Sequence, residues 1–138
     1  MKKRYFLFLT IALLFSACDQ SDDSLISNFL GCSSTMGCTE IFISLSYTPI
    51  DDNNQPIVLD NFYTQNLDNG NTYSIQDHNL DLQNSYIVID DDQLAEINKT
   101  GTNIRFFGIV DDQIVLQQDF VVGHDCCHVI PVSGPFDD

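Results

Sequence analysis

From Cys38 to Val132 the apolar residues come in short runs. Asn, Asp, Gly and Pro interrupt them every ~8–12 residues. In CTEIFISLSYTP, Ile41, Ile43, Leu45 and Tyr47 fall on one face and Phe42, Ser44 and Ser46 on the other, which predicts a half-buried strand. IDDNNQP reads as a turn, and Ile57 to Tyr63 as a second extended run. Leu67-Asp68-Asn69-Gly70-Asn71 is a turn with an Asn-Gly signal. Tyr73 to Ile75 predicts a short strand, and Ser85 to Ile89 a β-branched one. Asn103–Val110 and Gln113–Val122 predict two strands reversing at Asp111-Asp112. In the second, Ile114, Leu116, Gln118 and Phe120 share one register, and Val115, Gln117, Asp119 and Val121 the other. Cys126 to Val132 predicts a last strand, where Pro131 marks a sheet edge or the strand's end. The helical signal is confined to Asp90–Gly101: aspartates at its start, Leu94 and Ile97 three apart, Lys99 near its end and Gly101 closing it. The pattern predicts an all-β fold, an antiparallel β-sandwich of about seven strands with one short helical turn.

Residues 1–17 obey different rules. Lys2, Lys3 and Arg4 precede an apolar run, Tyr5 to Phe15, with Thr10 its only polar residue. The run is shorter than the roughly 20 apolar residues a membrane-spanning helix needs, so it reads as a secretory signal peptide. Phe15-Ser16-Ala17-Cys18 resembles the lipobox of bacterial lipoproteins. That resemblance implies that Cys18 is lipidated and becomes the mature N-terminus. Residues 18–37 then read as a lipidated flexible tether, and 38–138 as the β-sandwich domain. The mature chain has 138 − 17 = 121 residues and a formal charge of 2 − 20 = −18, since only Lys99 and Arg105 remain against twenty acidic residues. So acidic a surface repels nucleic acid and anionic headgroups and would attract cations or basic partners. Asp19 behind the cysteine would mean inner-membrane retention under the enterobacterial rule. Ser21-Asp22-Asp23 instead resembles the acidic tract that directs lipoproteins of Bacteroidota to the cell surface, and Asp23-Ser24-Leu25 resembles the short O-glycosylation motif of that phylum. The expected location is the cell envelope, as a surface-exposed outer-membrane lipoprotein.

The opening strand, the NNQP turn and the next strand resemble the start of carboxypeptidase-regulatory-like and transthyretin-like modules; immunoglobulin-like strand order is the alternative. The C-terminal stretch resembles a group of uncharacterised surface lipoproteins of Bacteroidota with a closing DCCHV motif. The matching residues are Cys38-Thr39-Glu40 with Phe42, Gly101, Phe107-Gly108, Val122-Gly123, Asp125-Cys126-Cys127-His128-Val129 and Val132-Ser133-Gly134. The resemblance carries a fold expectation and no chemistry.

Cys32, Cys38, Cys126 and Cys127 remain after lipidation of Cys18, an even number in an exported chain. Three readings compete. In a strand, Cys126 and Cys127 would point to opposite faces, so each would reach Cys32 or Cys38 and close a loop of roughly 90 residues, worth about 4–5 kcal/mol in the chain-entropy model. Alternatively, His124, Cys126, Cys127 and His128 form a metal site, with Cys32 and Cys38 as further ligands. The third reading is a vicinal Cys126–Cys127 redox pair, which would be strained.

No G-x-S-x-G, G-x-G-x-x-G or G-x-x-x-x-G-K occurs, and His78 stands in a polar loop. The runs Asp51-Asp52-Asn53-Asn54, Asp90-Asp91-Asp92 and Asp111-Asp112 would suit calcium but lack EF-hand spacing, and turn and cap chemistry accounts for them. No catalytic residue, metal or cofactor is therefore expected. The chain reads as a non-catalytic binding, adhesion or accessory module, held to the membrane by its N-terminal lipid, with a glycan or protein ligand at the cell surface. Tyr47, Phe62, Tyr63 and Tyr73 are candidates for an exposed aromatic patch. A purely structural envelope lipoprotein and a Cys/His metal or redox protein are the alternatives.

Overall fold

A computed structural model of the chain describes residues 31–33, 35–75 and 84–137. The expected signal peptide, Cys18, the tract at Ser21–Asp23, the motif at Asp23–Leu25 and His78 lie outside the described residues. Among the described residues there are seven strands and one 3-10 helix: β1 (Ser44–Tyr47), β2 (Asn61–Asn66), β3 (Thr72–Tyr73), β4 (Tyr86–Asp90), the helix (Asp91–Glu96), β5 (Thr102–Val110), β6 (Gln113–His124) and β7 (Val129–Ser133). β1 and β4 form a two-stranded sheet; the others form a five-stranded sheet ordered β3-β2-β5-β6-β7. All pairings are antiparallel.

The two sheets enclose one core. Leu45 and Tyr47 from β1 and Val88 and Ile89 from β4 meet Ile104 and Phe106 from β5 and Phe120 and Val122 from β6. Phe106 sits at the centre, its ring 5.7 Å from Tyr47 and 5.5 Å from Phe62. Burial alternates along β5, with Thr102, Ile104, Phe106 and Gly108 inward, the period expected of a strand covered on one side. Ile87, Val88 and Ile89 are buried in succession on β4, as a β-branched run covered on both faces should be. The helix begins in a capping box: Asp90 accepts the Asp92 N–H at 3.0 Å, and the Asp90 N–H donates to Gln93 Oε1 at 3.3 Å.

Several predicted boundaries move. The first strand begins at Ser44, so Ile41 and Phe42 precede the ladder and stand exposed. The second begins at Asn61 rather than Ile57, because the preceding segment bonds irregularly: the Ile57 N–H donates to the Pro49 carbonyl, and the Leu59 N–H to the Tyr86 hydroxyl. The last strand begins at Val129, since Cys126 adopts φ +86° and breaks the extended backbone. β7 is the sheet edge, and Pro131, which lacks an N–H, lies on it opposite Val122 at an irregularity in the β6–β7 register.

Candidate functional site

Among the described residues, two constellations bear on the candidate sites. The first is the knot at the C-terminal GHDCCHV. Here Cys32 is bonded to Cys126 and Cys38 to Cys127, with Cα atoms 5.7 and 5.3 Å apart. The bridges thus join the segment before β1 to the corner between β6 and β7, and the chain is covalently tied to the sandwich from Cys32 onward. The geometry differs from the strand alternation expected at residues 126–127. A turn aims the two sulfurs: buried His124 accepts the Cys126 N–H at Nδ1 (2.9 Å), and Asp125 Oδ1 accepts the N–H groups of Cys127 (2.9 Å) and His128 (2.8 Å). Those backbone bonds, that of Cys127 first, hold the Asp125 carboxyl below the usual carboxylate range.

With both bridges closed, no cysteine of the four offers a thiolate to a metal. Of the metal candidates, His124 lies beside the Cys32–Cys126 bridge, with ligand atoms of the three residues within 4.8 Å of one another. His128 is turned elsewhere: its Nδ1 lies 2.7 Å from Asp91 Oδ2 and its Nε2 3.0 Å from Thr39 Oγ1. Asp91 also accepts the N–H groups of Ile43 (2.8 Å) and Val129 (2.8 Å), and so ties the helix start to the segments entering β1 and β7.

The second constellation lies on the outer face of the five-stranded sheet. Register places Tyr63, Phe107 and Gln117 in one cross-strand row and Gln65, Arg105 and Asp119 in the next. The Tyr63 and Phe107 rings stack at 4.6 Å and 13°. Arg105 grips Asp119 through both Nε and Nη2, the latter at 2.9 Å, and this pairing lowers the Asp119 carboxyl and raises the guanidinium. Beside this row a groove of about 380 Å³ is lined by Leu67, Asp68, Asn103, Asp119, Val121 and Ser133. Asn103 Nδ2 donates to Asp68 at 3.1 Å across it.

Of the four aromatic candidates, Tyr63 alone lies in this outer layer. Tyr47 is buried between Phe106 and Phe120, Phe62 packs on Phe106 and Tyr86, and Tyr73 donates to Glu96 Oε2 at 2.6 Å. Sequence reading missed Phe107, although its place one residue from Phe106 on a half-buried strand puts it on the opposite face. It also missed Thr39, Asp91 and Glu96, whose partners lie far away in sequence.

The aspartate runs do turn work. Asp51 Oδ1 accepts the N–H groups of Asn53 and Gln55, both at 2.8 Å, and the Gln55 bond leads in lowering its carboxyl. Among the described residues no helix is long and apolar enough to cross a membrane. Compared with protein-family models, curated proteins and solved structures, the chain matches none.

Proposed function

We propose that the protein is a lipid-anchored cell-envelope module that binds a neutral glycan on the outer face of its five-stranded sheet. The observation that carries this reading is the stacked Tyr63–Phe107 pair, bordered in register by Gln65, Arg105, Gln117 and Asp119. A sugar ring has an apolar C–H face and a hydroxyl rim. The ring faces that the stack leaves uncovered suit the C–H face; amide, guanidinium and carboxylate groups suit the rim. The formal charge of −15 argues for a neutral rather than an acidic polymer. The lipobox-like FSAC and the acidic tract behind Cys18 support attachment at the cell surface.

Affinity electrophoresis against a panel of neutral polysaccharides tests the reading. Retardation by at least one polymer is expected. Tyr63→Ala and Phe107→Ala should each weaken it about tenfold, the 1.4 kcal/mol expected of a stacked ring contact. Equal mobility of both variants and the parent on every polymer would leave the purely structural envelope role. Cys18→Ser should release the protein from the membrane fraction; unchanged partition with a mature-size band would exclude lipid attachment at that residue.

A further inference from the structure

Thr39, Asp91 and His128 are remote in sequence, but the fold brings them into one line. Thr39 lies before β1, Asp91 opens the 3-10 helix, and His128 ends the turn before β7. Asp91 already accepts the N–H groups of Ile43 and Val129, one on each carboxylate oxygen. A carboxylate has only acceptor sites, so His128 Nδ1 is the donor in the 2.7 Å contact. In the neutral ring that leaves Nε2 with its lone pair. At 3.0 Å from Nε2 stands the Thr39 hydroxyl, which then donates its proton. A hydroxyl, an imidazole base and a carboxylate that fixes the base's tautomer are thus in hydrogen-bond reach in that order.

Burial grades along the line. The Asp91 and His128 side chains are 11% and 16% exposed, whereas Thr39 is open to solvent. The orienting end is part-buried and the reactive oxygen is reachable. Cys38–Cys127 joins the residues immediately before Thr39 and His128, so a covalent link sets hydroxyl and base together. A tie needed only for stability has no requirement for an exposed hydroxyl at its far end.

We propose that Thr39 Oγ1 is a nucleophile toward activated carboxylic esters, with His128 its general base and Asp91 a positioning residue. In the first step the Oγ1–acyl bond forms and the ester C–O bond breaks. The Thr39 proton passes to His128 Nε2 and then to the departing alkoxide or phenolate. Water then attacks the acyl-threonine and gives one proton to Nε2, which returns it to Thr39, so that acid and alcohol leave with no change of oxidation state. This activity is independent of the glycan reading, since none of the three residues lies on the outer sheet face.

The test uses the whole disulfide-bonded protein with p-nitrophenyl acetate. Nitrophenolate release is followed, and the acetylated peptide is identified by mass spectrometry. Acetyl on Thr39 is expected. Thr39→Val and His128→Gln should each lower release by about a hundredfold, within the range general-base catalysis supplies, and Thr39→Ser should restore it. Circular dichroism and disulfide mapping of Thr39→Val should match the parent, because the substitution alters an exposed side chain. For Asp91 the readout is a downfield Nδ1–H proton resonance of His128, present in the parent and absent in Asp91→Asn. Release by Thr39→Val at the parent rate would overturn the proposal, whether the imidazole attacks directly or a lysine takes the acetyl group. Acetyl found only away from Thr39 would overturn it equally.

Discussion

Glu96 shows how a single side chain can organise a region. It closes the 3-10 helix, and its Oε2 accepts from Asn69 (3.0 Å), Asn71 (2.6 Å) and Tyr73 (2.6 Å), gathering the β2–β3 turn against the helix end. Buried Asn66 completes the cluster by donating to the Glu96 carbonyl at 3.3 Å. The Tyr73 bond, then the Asn71 bond, hold the Glu96 carboxyl below its ordinary range, while burial first and Glu96 second push Tyr73 up to about 12. For Glu96, whose folded pKa is depressed, the stabilisation is present above the unfolded value of about 4.3 and is lost as pH falls through the folded one. For Tyr73, whose folded pKa is raised, it is full below about 10 and is lost as pH rises through about 12. Tyr73→Phe should therefore cost about 1–2 kcal/mol at neutral pH and flatten the acid limb of urea-denaturation stability. It should also remove one late-titrating tyrosine from the alkaline absorbance curve. An unchanged acid limb would show that the Tyr73–Glu96 bond does not hold in solution.

At the scale of elements, local chemistry made much of the chain legible and long-range bonding hid the rest. The alternation in CTEIFISLSY marks Leu45 and Tyr47 as core residues, and both are buried. It also marks Ile41, which is 64% exposed because pairing with β4 begins at Ser44. The turn at Asp111-Asp112 was readable from composition, and both residues have positive φ, +50° and +57°, as the two-residue loop between β5 and β6 requires. What no local pattern announces is a partner tens of residues away. Asp137 accepts from Ser46, Thr48 and Ser85, and Asp91 from Ile43 and Val129. The Cys126 turn was hidden for the same reason: positive φ at a cysteine is unfavourable locally, and the His124 bond and the bridge to Cys32 hold it there. The hairpin yields a prediction. Asp112→Gly should raise stability by about 0.5–1 kcal/mol, because glycine adopts the left-handed conformation without the Cβ penalty. A fall in the thermal midpoint would instead assign Asp112 a side-chain role in the turn.

At the scale of the whole molecule, the two bridges are coupled. Cys32–Cys126 and Cys38–Cys127 each span long loops, with sequence separations of 94 and 89. Either bridge alone should contribute about 4–5 kcal/mol. With one already closed, the other closes only the small ring of residues 32–38 and 126–127, so the second should add roughly 2–3 kcal/mol. Replacing one pair by serine should thus cost about 2–3 kcal/mol, roughly a third of what losing both costs, a non-additivity that chemical denaturation of the three variants measures. Strictly additive losses would show that the denatured chain does not behave as this loop model requires. The same arrangement has a mechanical side. Tension on the chain ahead of Cys32 does not have to pass through β1 and peel it from β4. It crosses the first bridge into Cys126, just past the end of β6, so β1 and β4 lie off the path, and a load applied at Tyr63 or Phe107 reaches the bridge through the β2–β5–β6 ladders. A domain pulled by the chain ahead of Cys32 while its outer face is occupied would then be loaded through its two longest ladders, β2–β5 and β5–β6, rather than through the short β1–β4 pair.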